Sequence, residues 1–113
     1  MIIKLFQKKC VPCEGGVPPL TIEESKKLLQ QVSSNWQLEP KRIYADFKFK
    51  NFKEALSFVN KIGEIAESEN HHPDIFLTYG KVKVELWTHA IGGLSENDFI
   101  LAAKIDEILN SES

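Results

Sequence analysis

All three histidines of this chain lie in one segment that begins and ends with a carboxylate. Along the chain, this segment carries Glu67, His71, His72, Pro73, Tyr79, His89 and Asp98. Histidine has an unperturbed pKa of about 6.5, so it can give or take a proton near neutral pH. Three such rings with carboxylates nearby indicate proton-transfer chemistry rather than a purely structural role.

The adjacent pair His71 and His72 is expected to serve two different roles. Neighbouring residues in an extended segment point in roughly opposite directions. Pro73 fixes its own φ and disfavours a helical conformation for His72. A plainer explanation is that a histidine near the C-terminus of a helix interacts favourably with the helix dipole. That explanation could account for one of the pair but not for His89.

His89 and Asp98 each have a structural alternative to a chemical role. His89 has the parity of the polar residues in a predicted strand, so we expect it to project from the face away from the core. Asp98 follows Ser95 by three residues, which is the acidic position of a capping box. Asp98 could serve simply as a cap at the start of the last helix. It could also orient an imidazole, and the two roles are compatible.

A metal site is the main chemical rival, because three histidines and an aspartate match the ligands of zinc or non-haem iron. Adjacent residues such as His71 and His72 rarely chelate one ion, so the spacing favours acid–base chemistry without a metal. The pair Cys10 and Cys13 lacks the second pair that a zinc site needs. A Gly/Pro loop follows it at 15–19 instead of a helix, which favours a reduced pair over a redox motif.

Composition predicts one ordinary globular domain. The 113 residues are 42% hydrophobic and 27% charged, with a net charge of −2, which argues against generic nucleic-acid binding. No apolar run approaches the roughly 20 residues needed to cross a bilayer. The first residues are too short and too interrupted by lysine to form a signal-peptide core. We therefore expect a cytoplasmic protein with no membrane partner.

The pattern of the chain predicts an N-terminal arm, residues 1–19, and a domain spanning residues 20–113. Thr21 with Glu24 is a capping-box signature, and Asn51 can cap a second, strongly periodic helix. Period-two segments predict strands, and short links between paired strands favour an antiparallel sheet. The predicted elements are helix 22–33, strands 35–38 and 42–49, helix 52–66, strands 75–79 and 81–88, and helix 95–110. The fold class is α+β, with a four-stranded antiparallel sheet and three helices packed on one face.

The chain resembles the pterin-4a-carbinolamine dehydratases over nearly its whole length. The resemblance rests on the histidine segment, on Trp36, and on three further stretches: Leu20-Thr21, Phe47 to Phe52, and Gly92 to Ser95. The N-terminal Cys10 to Gly16 also looks like that of prokaryotic members. One departure is Ala90, where many relatives carry an acidic residue. The resemblance implies the same α+β fold and dehydration of 4a-hydroxytetrahydropterin to quinonoid dihydropterin, the hydro-lyase step of tetrahydrobiopterin recycling.

The resemblance also implies roles for individual residues. His71 and His89 would carry the proton transfers, and His72, also counted as catalytic, would contact and orient the substrate. Glu67 and Asp98 would support the histidines, with Pro73 beside the substrate. No cofactor or metal is implied, and a homodimer or homotetramer is expected. The alternative is a non-enzymatic binding protein on the same fold, a dimerisation cofactor or an assembly factor, although such a scaffold would have no need for three histidines.

Overall fold

The computed structural model describes residues 4–11 and 18–112, with side chains through residue 109. Its strands form one antiparallel sheet in the order β1-β2-β4-β3. With three α-helices, this is the expected α+β fold. The elements are a 3-10 turn Leu5–Gln7, α1 Ile22–Leu29, β1 Trp36–Leu38, β2 Ile43–Lys48, α2 Phe52–Glu69, β3 Asp74–Leu77, β4 Lys81–Leu86, a 3-10 turn His89–Ile91, and α3 Glu96–Glu112.

The core lies on the sheet face that period two predicts. Ile43, Ala45 and Phe47 of β2 pair with Leu86, Val84 and Val82 of β4, and all six are at most 4% exposed. The residues between them on β2 are half-buried or exposed. Because burial alternates along β2, a shift of its register by one residue would move its apolar side chains to the other face.

The helix α2 starts as expected at Phe52 but runs on to Glu69, and it buries a different face at its start. Asn51 accepts a hydrogen bond from the Glu54 N–H at 2.9 Å, which is the predicted cap. Phe52 and Leu56, both expected on the core face, are 44% and 39% exposed. Phe58 is fully buried instead and packs edge-on against Phe47, with ring centroids 5.0 Å apart. The helical spacing of the apolar residues allowed either face of the first turns to be buried, and the contact between Phe58 and Phe47 favours the face that is observed.

The first helix is shorter than predicted. It starts with the expected capping box, in which Thr21 and Glu24 exchange hydrogen bonds. It ends at Leu29 rather than near Ser33, because the next turn tightens to i→i+3 bonds. The Ser33 N–H and hydroxyl both donate to the Asp106 carboxylate of α3 at 2.8 Å. The contact with α3 thus occupies the Ser33 N–H, which a further turn of α1 would use for a helical hydrogen bond.

The helix α3 lies in the centre of the helical layer. Phe99, Ile100, Leu101, Ala102 and Ala103 are consecutive and all at most 6% exposed. A helix that is apolar on every side is a buried helix, and α3 contacts α1, α2 and the N-terminal 3-10 turn. Its first turn is therefore held from several directions, which matters for the site below.

The described part of the N-terminal arm packs on this body. Leu5 is 3% exposed and belongs to the same hydrophobic core. The Cys10 N–H donates to Glu69 at 2.7 Å, and Lys104 donates to the Phe6 carbonyl at 2.9 Å. The boundary between arm and domain at residue 19 stays a prediction, and Cys13 lies outside the described residues. No helix in the described ranges is long and apolar enough to span a membrane.

Cys10 should react slowly with iodoacetamide, because only the thiolate attacks the reagent. Burial, with a further contribution from Glu69, raises the pKa of its thiol to about 12. In a Cys13→Ser variant at about pH 8.5, we expect alkylation at least about a hundredfold slower than in the same chain unfolded in urea. The folded rate should rise as the pH approaches the raised pKa. Mass spectrometry of timed samples measures both rates, and equal rates would contradict the burial of the thiol.

Candidate active site

The three histidines line one cleft of about 440 Å³ at the end of the sheet where β4 ends and β3 begins. Tyr79, which the sequence segment includes, is not part of it. That residue is 71% exposed in the turn between β3 and β4, at the opposite end of these strands. The cleft is lined by Val11, Asn70, His71, His72, Pro73, Asp74, Trp87, Thr88, His89, Ala90 and Asn97.

The end of α2 fixes the position of His71. Asn70 adopts a left-handed conformation, with φ 52° and ψ 40°, and its N–H bonds to the Ala66 carbonyl. Asparagine tolerates this conformation better than most residues, and it closes many helices. The His71 N–H bonds to the same carbonyl at 3.2 Å. The chain therefore leaves the helix in a defined direction, and the ring of His71 turns inward.

Asp98 is the buried anchor of the site. Its side chain is fully buried, and His71 Nε2 lies 2.6 Å from its Oδ1. Its Oδ2 accepts from the Ser95 N–H at 3.0 Å and from the Thr88 hydroxyl at 2.9 Å. An ionised carboxylate can only accept, so a neutral His71 must donate from Nε2 and keeps a lone pair on Nδ1. Asp98 therefore both caps α3 and orients His71.

The sequence pattern placed His89 on a strand, but in the structure it lies beyond the end of that strand. The strand β4 ends at Leu86, and His89–Ile91 form a 3-10 turn. This turn is closed by the Thr88 N–H bonded to the Gly93 carbonyl at 2.8 Å and by Gly92 at φ 65°. A side chain at Gly93 would meet Pro19, with its Cβ 2.8 Å from the proline Cβ. The two glycines are thus needed for the loop that presents His89.

Trp87 supports the exposed ring of His89. The two rings stack with centroids 3.8 Å apart and an angle of 23° between their planes. This stack holds the imidazole against the indole face at the cleft. Both residues line the cleft. The shared strand parity of Trp87 and His89 was visible in the sequence, but the stack depends on the turn that follows the strand.

His72 points to a different partner from His71, as expected for neighbours in an extended segment. Its Nε2 contacts the Glu67 carboxylate. Both side chains are largely exposed, at 55% and 79%, so water screens this ion pair. Glu67 thus touches a histidine at the rim without lining the cleft itself.

The structure brings five of the six predicted site residues into or directly behind the cleft. His71, His72, Pro73 and His89 line it, Asp98 lies behind His71, and Glu67 stands outside at the rim. Sequence reasoning missed Asn97, Val11 and the role of Thr88. Asn97 stands beside Asp98, but its partner Val11 is far away along the chain, so no local pattern could have shown it.

Within the described residues, no group of three or more His, Cys, Asp or Glu side chains is arranged to hold a metal ion. The carboxylates of Asp98 and Glu67 each contact a different histidine. His71, held by Asp98, and His89, stacked on Trp87, both line the cleft, so two imidazole rings that can give or take a proton border one space.

Comparison with known sequences identifies close relatives over the full length. The profile of the family described as "Pterin 4 alpha carbinolamine dehydratase" matches residues 18–108. A protein of Nitrosomonas eutropha named "Putative pterin-4-alpha-carbinolamine dehydratase" is 52% identical over 110 residues, covering 97% of both chains.

Solved structures share the fold. The crystal structure of a "transcriptional coactivator/pterin dehydratase" from Brucella melitensis superposes with a TM-score of 0.75 at 35% identity, covering 80% of this chain and 97% of that one. A pterin dehydratase-like protein described as a RuBisCO assembly factor in the alpha-carboxysome gives a TM-score of 0.54 at 20% identity, covering 65% and 84%. The second likeness extends to the fold alone.

Substituting Asp98→Asn should reverse the tautomer of neutral His71. The amide oxygen can keep the bonds from Ser95 and Thr88, which turns the NH₂ group toward His71 and forces Nε2 to accept. We expect ¹⁵N NMR at about pH 9, where an ordinary histidine is neutral, to show the proton on Nε2 in the wild type and on Nδ1 in the variant. Ser95→Ala is the control, because it leaves the His71 contact in place. An unchanged tautomer in Asp98→Asn would show that Asp98 only caps the helix.

Proposed function

The chain belongs to the pterin-4a-carbinolamine dehydratase family, and we propose that it dehydrates 4a-hydroxytetrahydropterin to quinonoid dihydropterin. The observation that carries this proposal is the single cleft into which His71, His72 and His89 all open. Its volume, about 440 Å³, falls in the range of small-molecule sites.

The reaction needs one proton added and one removed. The 4a-hydroxyl leaves as water only when it gains a proton, and the C4a–N5 double bond forms as N5 loses one. An acid and a base placed beside the ring supply both transfers without a redox cofactor. The histidines of the cleft thus have the kind and number of proton-transfer groups that this reaction needs.

His71 suits the role of base. Its Nε2 is held by the buried Asp98 carboxylate, so its Nδ1 is the nitrogen with a lone pair for the N5 proton. The carboxylate then stabilises the imidazolium that forms. Because Asp98 is also held by Ser95 and Thr88, it remains in place as the charge on the ring changes.

His89 suits the role of acid. It must carry a proton before the reaction, and the stack with Trp87 holds its ring at the cleft. It gives the proton to the leaving hydroxyl and becomes neutral, while His71 becomes charged. Exchange with solvent then restores both rings.

His72 and Pro73 complete the cleft as substrate contacts. His72 is 55% exposed and contacts Glu67 at the rim of the cleft, so it is suited to orienting the pterin rather than to holding a developing charge. Pro73 stiffens the segment between the two histidines and β3. We assign Glu67 to holding the ring of His72 in position.

The physiological setting is also part of the proposal. We place the protein in the cytoplasm, in tetrahydrobiopterin recycling, as a homodimer or homotetramer. Both β1 and β3 are edge strands of the sheet, and an unpaired edge favours strand pairing between copies. Light scattering at micromolar concentration measures the mass, and a monomer would contradict this last part.

A binding role on the same fold is the second candidate. Its support is the printed description of the Brucella protein, which combines coactivator with dehydratase. A scaffold would place no requirement on ring nitrogens in a cleft, so replacing a histidine would leave binding unchanged. The variants below therefore separate the two functions.

Purified protein should accelerate the dehydration of 4a-hydroxytetrahydrobiopterin, followed by the absorbance of the quinonoid product. The rate should be unchanged after exhaustive EDTA treatment, because the proposed acid and base are side chains. Protein that had never met a chelator is the matched control. Activity that returns only on adding zinc or iron would favour the metal site, and no activity in either sample would overturn the enzyme.

His71→Ala and His89→Ala should each lower kcat by about 10²-fold or more, which is the scale of lost general acid–base catalysis. His72→Ala should act mainly on KM, because it removes binding rather than proton transfer. Glu67→Gln should raise KM less than His72→Ala does, since it weakens only a water-screened ion pair and leaves the imidazole in place. Near-normal kcat in His89→Ala would remove that residue from the chemistry.

Added imidazole separates the base from the acid in the same variants. Rescue of His71→Ala requires a base, which is neutral imidazole, so the rescue should increase as the pH rises through the pKa of imidazole. His89→Ala needs imidazolium, so its rescue should fade over the same range. The opposite pair of trends would exchange the two roles.

A further inference from the structure

The N-terminal arm reaches the cleft at Val11. This residue lines the cleft and is 66% exposed, so a valine borders the space where the proposed reaction takes place. Of the described residues of the arm, Val11 is the one that lines the cleft, it lies far along the chain from the histidines, and valine has no titratable side chain. Its contribution must come from shape and apolar contact.

Asn97 holds this part of the arm through both backbone groups of one residue. The Val11 N–H donates to Asn97 Oδ1 at 2.9 Å, and Asn97 Nδ2 donates to the Val11 carbonyl at 2.5 Å. Asn97 is 4% exposed, in the first turn of the buried helix α3. A side-chain amide that pairs with a backbone N–H and C=O imitates a strand neighbour, so it fixes the orientation of the peptide as well as its distance.

Two further contacts hold the preceding residue. The Cys10 N–H donates to Glu69 at 2.7 Å, and the Cys10 thiol lies 3.6 Å from the Asn97 carbonyl. The amide of Asn97 contacts Val11 itself, whereas these two contacts act on Cys10. Asn97 also stands next to Asp98, so the same helical turn holds the His71 wall and the arm wall of the cleft.

We propose that Val11 is a specificity-determining residue of the pterin site and that Asn97 is the positioning residue that holds it there. The inference rests on the proposed function for the identity of the ligand. Val11 supplies an apolar wall against the bound pterin, and Asn97 keeps that wall at a fixed place relative to His71. The described part of the arm is therefore a part of the site through Val11.

The test is a double-mutant cycle in the full-length protein. Asn97→Ala should raise KM for 4a-hydroxytetrahydrobiopterin on the order of tenfold, with kcat within about twofold, because ground-state binding is lost and chemistry is not. Val11→Ala, which keeps the backbone bonds, should raise KM about threefold through lost apolar contact. Once Asn97 is alanine, adding Val11→Ala should change nothing further.

Lys8→Ala is the matched control for loosening the arm. Lys8 pairs with Glu96 at 3.0 Å on the surface, with 39% and 48% of the side chains exposed. Such exposed pairs contribute little, so both KM and kcat should stay unchanged. Amide hydrogen exchange at Val11 gives a readout independent of pterin, and it should accelerate in Asn97→Ala but not in Lys8→Ala.

Each outcome has one meaning. If the wild type is active and neither substitution changes its KM, Val11 does not form a wall of the pterin site. If the effects of the two substitutions on KM are additive in the cycle, Asn97 does not act through Val11. Unchanged exchange at Val11 in Asn97→Ala overturns the positioning role. An inactive wild type overturns the proposed function instead, and the exchange experiment still decides whether Asn97 holds the arm.

Discussion

The site depends on one buried carboxylate. Asp98 is fully enclosed and accepts from a backbone N–H, a hydroxyl and an imidazole. Burying a carboxylate is costly unless its oxygens are hydrogen-bonded, and these three donors meet that requirement. Each donor belongs to a different part of the site: the start of α3, the residue before the His89 loop, and the end of α2. The need to satisfy one charge therefore brings three segments to one point.

This anchor is effective because of the helix that carries it. The helix α3 is apolar on nearly every side and is packed among the other helices and the N-terminal turn. Its first turn cannot shift without disturbing the core, since protein interiors are close-packed. Asp98 and Asn97 hence give the two walls of the cleft a common rigid support. At the exposed rim, His72 contacts Glu67 and His89 stacks on Trp87, and neither of these contacts is buried as that of Asp98 is.

The two histidines at the end of α2 show how identical side chains acquire different properties. His71 meets a buried carboxylate and His72 an exposed one. The low local dielectric strengthens the first contact, and water weakens the second. Adjacent positions in an extended segment are enough to create this difference, since one ring must turn inward when the other turns outward. The buried contact suits proton transfer, and the exposed one leaves a ring that can adapt to a ligand.

Local patterns in the sequence determined the elements and the candidate histidines. Period two located β2 and β4, and the capping signals at Thr21 and Asn51 marked where two helices begin, because these features depend on residues within a few positions of one another. Tertiary contacts decided the rest. The first helix ends early because Ser33 bonds to Asp106 of α3. The contact between Phe58 and Phe47 favours one buried face of α2. A turn that depends on two glycines places His89 beyond the end of β4. Asn97 and Val11 meet only because α3 packs beside the arm, and no short-range pattern encodes a hydrogen bond between residues at opposite ends of a chain.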